Sequence, residues 1–213
     1  MKKFKKALSA VLVLLIGLGV GFSAAYFTDS DNTTNKFEIG SIETELHEPE
    51  WDKTVNADGE LENVIPSKAY AKDPQIENVG ENNAWVYLEV KIPYATVKTT
   101  EEDGTVVAAE EIELFTMETV DPAKWTQLSH ERGDDGFYTY VFGYNTAIAP
   151  SETTDPLFEN IRFANLTEDQ TFDANTFEES VLNVPVKSMA IQEEETGTMQ
   201  EAYNKYIAQN PEA

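Results

Sequence analysis

The sequence predicts an all-β protein, an antiparallel β-sandwich with a short C-terminal helix, and three observations carry that prediction. Apolar and polar residues alternate wherever the pattern is clear, turn dipeptides recur along the chain, and one stretch alone has good helical spacing. Val86, Leu88, Val90 and Ile92 share one parity while Trp85, Tyr87, Glu89 and Lys91 share the other, the pattern of a half-buried strand. Tyr138, Tyr140, Phe142 and Tyr144 repeat it behind Asp135-Gly136, a dipeptide that supplies the positive backbone angles of a tight hairpin turn. Further strands are expected over 36–46, 70–77, 112–117, 157–163 and 182–191. They are separated by Pro66, Asp73-Pro74, Asp103-Gly104, Asp121-Pro122, Pro150 and Asp155-Pro156. Between Phe37 and Leu46 the alternation changes phase at Gly40, as a bulge or bend requires. The helix is expected over 199–207, where Met199, Ala202, Tyr203, Tyr206 and Ile207 recur at helical spacing.

At 213 residues with 41% apolar content and no cysteine, the chain must hold its core by packing alone. We read one sandwich domain over residues 37–213. The 39 acidic side chains outnumber the 15 Lys and Arg, so the surface repels nucleic-acid phosphates and that partner class is excluded.

The charge is unevenly spread. Lys2, Lys3, Lys5 and Lys6 precede an uncharged apolar run from Ala7 to Phe22, followed by Ser23-Ala24-Ala25. This is the layout of a secretory signal peptide, residues 1–25, with Ser23 and Ala25 as the small residues before the cut and Tyr26 as the first mature residue. The competing reading is an uncleaved membrane helix, since 19 residues separate Lys6 from Tyr26. Cleavage removes four Lys and no acid, leaving 11 basic against 39 acidic side chains and a net charge of −28. Secretion without cysteine suggests a bacterial exterior, so the expected location is extracellular matrix or cell surface. Residues 26–36 form a polar leader; 29–35 contain no apolar residue and are expected to lack structure in an isolated subunit unless a partner orders them.

No catalytic residue emerges. His47 and His130 lie far apart in sequence, neither has a second His at helical metal-ligand spacing, and the chain has neither a nucleophile elbow nor a thiol. No metal ligand is assigned. Acidic clusters at Asp29-Ser30-Asp31, Glu101-Glu102-Asp103, Asp134-Asp135 and Glu193-Glu194-Glu195 offer hard oxygen donors for structural calcium, but none matches the twelve-residue calcium loop. A solvated acidic surface is the plainer account, and no cofactor is expected.

The signal exit Ser23-Ala24-Ala25-Tyr26-Phe27-Thr28-Asp29, then Asn35-Lys36-Phe37-Glu38-Ile39-Gly40-Ser41-Ile42, resembles the TasA/camelysin family of Gram-positive exported proteins. The likeness continues through Asn78-Val79-Gly80, the segment 85–92 and Ala190-Ile191-Gln192, and so spans nearly the whole chain. The family more usually has Pro-Gly where this chain has Pro66-Ser67. The resemblance implies a jelly-roll-like sandwich, export through a SipW-type signal peptidase, and head-to-tail homopolymerisation into biofilm matrix fibres alongside other matrix components. Some members carry a metallopeptidase label, which no motif here supports.

An exported chain frees its N-terminus only after cleavage, and an open sandwich edge exposes backbone groups that a strand from the next subunit can satisfy. Residues 26–39 are therefore the candidate donor strand, with Phe37 and Ile39 as pocket fillers and Tyr26 and Phe27 as further ones. Lys36 is the candidate for a covalent cross-link to Asn or Asp. A monomeric surface adhesin and a secreted hydrolase of the metallopeptidase kind are the readings from other classes.

Overall fold

The structure is a computed structural model that describes residues 28–31, 42–56, 61, 64–167 and 183–211. Within them eleven strands precede one helix: β1 (Thr28–Asp31), β2 (Thr44–His47), β3 (Ala69–Ala71), β4 (Gln75–Asn78), β5 (Ala84–Thr100), β6 (Val106–Glu113), β7 (Phe115–Glu118), β8 (Trp125–Arg132), β9 (Phe137–Tyr144), β10 (Asn160–Phe163), β11 (Val186–Gln192) and α1 (Met199–Gln209). All named strand pairs are antiparallel. The main sheet runs β1-β11-β5-β9-β8, with β6 added to the far end of β5. A three-stranded sheet β3-β10-β7 and the pair β2-β4 complete the fold. The sheets curl into a half-barrel, which bears out the all-β sandwich read from the sequence.

The 17-residue β5 organises the rest. Its inward residues Val86, Leu88, Val90 and Ile92 are fully buried and meet Ile76, Phe115, Phe142, Leu157, Phe158 and Ile161 in the main core. Each such aliphatic side chain contributes about 1.5–3 kcal/mol relative to exposure. Pro93, which has no N–H to donate, stands at the handover where β5 leaves β9 and begins to pair with β6.

The expected single buried face is half of the arrangement. Tyr87, on the other parity, is also fully buried, because α1 lies across that face and forms a second cluster of Tyr87, Val141, Met189, Ile191, Ala202 and Tyr206. Gly143 permits the approach: a Cβ there would stand 2.3 Å from the Met199 sulfur. The helix starts with a capping box, in which the Thr198 side chain accepts from the Glu201 N–H and the Glu201 carboxylate accepts from the Thr198 N–H.

Turn chemistry matches the sequence. Gly104 (φ +88°) and Gly136 (φ +90°) supply the left-handed positions of the β5–β6 and β8–β9 connections. Asp103, Asp121 and Asp135 each accept a hydrogen bond from the backbone two residues on. These acids shape turns. Other expectations shift: 70–77 divides into β3 and β4 around Asp73-Pro74, 112–117 divides between β6 and β7 at Leu114, and 157–163 narrows to β10. The Gly40 bend lies outside the described residues, as does the first half of 36–46.

Lys72 is 5% exposed, donates to Glu48 Oε2 at 2.9 Å, lies 2.8 Å from Oε1, and has its ammonium 4.5 Å from the Trp51 ring centroid. Burial pushes the Glu48 carboxyl above its usual range, and Lys72 opposes that rise. Removing one partner of such a pair strands a buried charge. Lys72→Met is expected to destabilise the fold by about 3 kcal/mol in urea unfolding, whereas Lys53→Met, at an exposed pair with Glu50, should leave the urea midpoint unchanged.

Ser67 stands at φ +63°, a left-handed position where a side chain is strained, on the dipeptide where the resembled family more usually has Pro-Gly. Ser67→Gly is expected to raise stability by about 0.5–1 kcal/mol, read as a higher urea midpoint at unchanged slope.

Candidate functional site

β-pairing is a main-chain interaction, so a polar sequence can join a sheet edge that offers unpaired donors and acceptors. Thr28–Asp31 does this. Residues 29–31, the described part of the stretch 29–35 expected to lack structure, lie with Thr28 in the edge strand of the main sheet, pairing Thr28 with Ile191, Asp29 with Ala190, Ser30 with Met189 and Asp31 with Ser188. Its partner β11 is held along its other edge by β5, from Val186–Val90 to Gln192–Ala84.

Both faces of β11 are fixed. Met189 and Ile191 pack beneath α1, while Ala190 packs in the main core. Tyr87 donates its hydroxyl to the Met199 carbonyl at 2.8 Å, tying β5 to the first turn of the helix. Burial raises the Tyr87 phenol well above its ordinary range, so it stays a neutral donor. A strand buried on both faces and paired along one edge presents its second edge as a preformed acceptor, and β1 occupies it.

Ser23, Ala25, Tyr26, Phe27, Lys36, Phe37 and Ile39 are outside the described residues. The two histidines take separate partners. His47 Nε2 lies 3.1 Å from Glu77 Oε2 and 3.9 Å from Glu45 Oε2, while His130 Nε2 lies 3.1 Å from Glu113 Oε1 and its ring stacks on Tyr140 at 4.1 Å. Glu113 also accepts from the Tyr140 hydroxyl at 2.7 and 2.8 Å, and Arg132 donates to both oxygens of Glu111. The Arg132 guanidinium holds the Glu111 carboxyl below its ordinary range.

Sequence reasoning missed two features. The β1–β11 pairing has no apolar signal in Thr28–Asp31. The Glu45-His47 pair is spaced for a strand, not a helix, so a search for helical ligand spacing passes over it. An alternate-residue Glu-x-His on a strand was the available clue.

The chain matches no family model, no curated protein and no solved structure.

If β1 alone covers the outer edge of β11 over Ser188–Ile191, deleting residues 26–31 from the mature chain should expose alternate β11 amides. Hydrogen exchange followed by NMR should show faster exchange at amides facing β1, with those bonded to β5 still protected.

Proposed function

We propose that the protein is an exported structural subunit that polymerises head to tail into extracellular matrix fibres, its N-terminal segment pairing with β11 of the next subunit. The observation that carries this reading is the place of Thr28–Asp31: it begins two residues after the expected mature start at Tyr26 and lies as an edge strand on β11. A short segment on an edge can leave its own subunit and remake the same backbone bonds on a neighbour, as in domain swapping. A donor that reaches forward makes a heterologous contact, and a heterologous contact that does not close gives a filament.

In this reading Tyr26, Phe27, Phe37 and Ile39 add apolar contact around the paired stretch, and the signal peptide keeps the segment engaged until a SipW-type peptidase cuts after Ala25. The resemblance in the sequence supports the fibre assignment. Lys36, beside Phe37, is the candidate for covalent locking, and polymers that dissolve wholly to monomer in hot detergent would exclude it.

The test is electron microscopy of purified protein whose N-terminus has been sequenced as Tyr26. Regular filaments without added ligand are expected, and both deletion of residues 26–35 and Phe37→Asp should abolish them. Filaments that form normally in both variants would place the contact on another edge, and a protein that stays monomeric throughout would favour the adhesin. Because each mature subunit carries −28, filament growth should accelerate as salt rises to about 0.1 M, where the screening length is near 10 Å. Light scattering across a salt series checks this, and equal rates at low and moderate salt would show that charge does not limit assembly.

A further inference from the structure

We propose that Glu45, His47 and Glu77 form a divalent-cation site of the zinc type on the outward face of the β2–β4 pair. The inference rests on this cluster and is independent of the fibre reading. In β2, Thr44 is buried and Leu46 packs against the core; in β4, Ile76 and Asn78 are buried. Period-two alternation therefore turns Glu45, His47 and Glu77 outward together. The register sets Glu45 directly opposite Glu77, with His47 one alternate position along.

Two carboxylates facing each other across an antiparallel pair repel, and the chain as a whole carries −24. Among the described residues, the ion pairs of both carboxylates run to His47. A divalent cation held among the three cancels the charge of both carboxylates in full. One ligand atom from each residue lies within 4.8 Å of the other two. Donors around a tetrahedral zinc at about 2.0–2.1 Å stand roughly 3.3 Å from one another. The 3.1 Å from His47 to Glu77 is already close to that, and the 3.9 Å to Glu45 closes by rotation of a side chain that is 62% exposed.

The donor chemistry selects the ion. An imidazole nitrogen with two carboxylate oxygens suits zinc and its first-row neighbours, while calcium and magnesium prefer oxygen throughout. Three protein ligands leave a fourth position for water. His130 supplies the internal contrast. It also has a carboxylate at 3.1 Å, but a single one, whose oxygens already accept from Tyr140.

The experiment uses the mature chain from Tyr26, stripped with chelator and titrated with zinc chloride by calorimetry. One zinc per chain is expected. His47→Gln and Glu77→Gln should each weaken binding about tenfold or more, and His130→Gln should leave it unchanged. Because the three side chains are partly or fully exposed, the variants should keep their circular dichroism, and calcium chloride in excess should not compete. In the unsubstituted protein, the His47 ring resonances should shift on zinc addition while those of His130 stay in place. Absence of saturable binding, binding that survives both substitutions at the site, equal loss in His130→Gln, or displacement by calcium would each overturn the proposal.

Discussion

The burial of β5 on both faces is the constraint on which the rest of the structure depends. Its inward aliphatics fix the main core, and its outward Tyr87 sets the floor on which α1 rests. An 11-residue helix is marginal in water by itself, so α1 owes its order to that floor and to its capping box. The helix in turn covers Met189 and Ile191, and this makes β11 rigid. A central strand, a helix across it and a clamped neighbour thus produce one well-defined sheet edge.

Charge is handled locally. Turn and surface acids are held ionised by partners: Asp155 by the Tyr144 hydroxyl and Lys124, Asp135 by Lys91, Glu111 by Arg132, and Glu201 by the Thr198 cap, and all four carboxyls titrate below their ordinary range. A depressed folded value gives stability that is present above the unfolded value near pH 4 and is lost as pH falls through the folded one. Glu48 runs the other way. Burial raises its folded value, so the native state holds that proton more tightly, and its contribution declines as pH rises through the window above about 4. Acid therefore relieves both the self-repulsion of the surface and the cost of ionising Glu48, while loosening the paired surface carboxylates.

How much could be read in advance follows from where the information lies. β5 and β9 were legible because their apolar residues alternate, and α1 because Ala202 and Tyr206 recur at helical spacing. Asp103-Gly104 and Asp135-Gly136 marked their turns because their glycines take positive φ. The polar strands were not legible. In β8 only Trp125 is buried, and β6 is largely exposed with Glu110, Glu111 and Glu113 along it, so neither carries an apolar rhythm. Burial of Tyr87 was hidden because its cover comes from more than a hundred residues downstream. The cluster at Glu45, His47 and Glu77 was hidden for the same kind of reason: register across two strands is a tertiary fact, and a separation of 30 positions from His47 to Glu77 does not encode it visibly.

The shortness of β1 suits the strand exchange proposed above. Four residues contribute few backbone bonds, each worth about 0.5–1.5 kcal/mol net, so release from β11 breaks little backbone pairing. The chain from Asp31 to Thr44 can span at most about 45 Å when extended, which would let the segment reach a neighbour in the proposed exchange. Remaking the pairing in trans restores the same bonds, so their energy largely cancels between the two arrangements. The balance then rests on terms that differ between them: apolar burial by residues flanking the strand, the association entropy of a second chain, and repulsion between two strongly acidic subunits. In the proposed exchange salt would alter the repulsion directly and the flanking aromatics would set the apolar gain, so the two could be varied independently with β11 as the same acceptor.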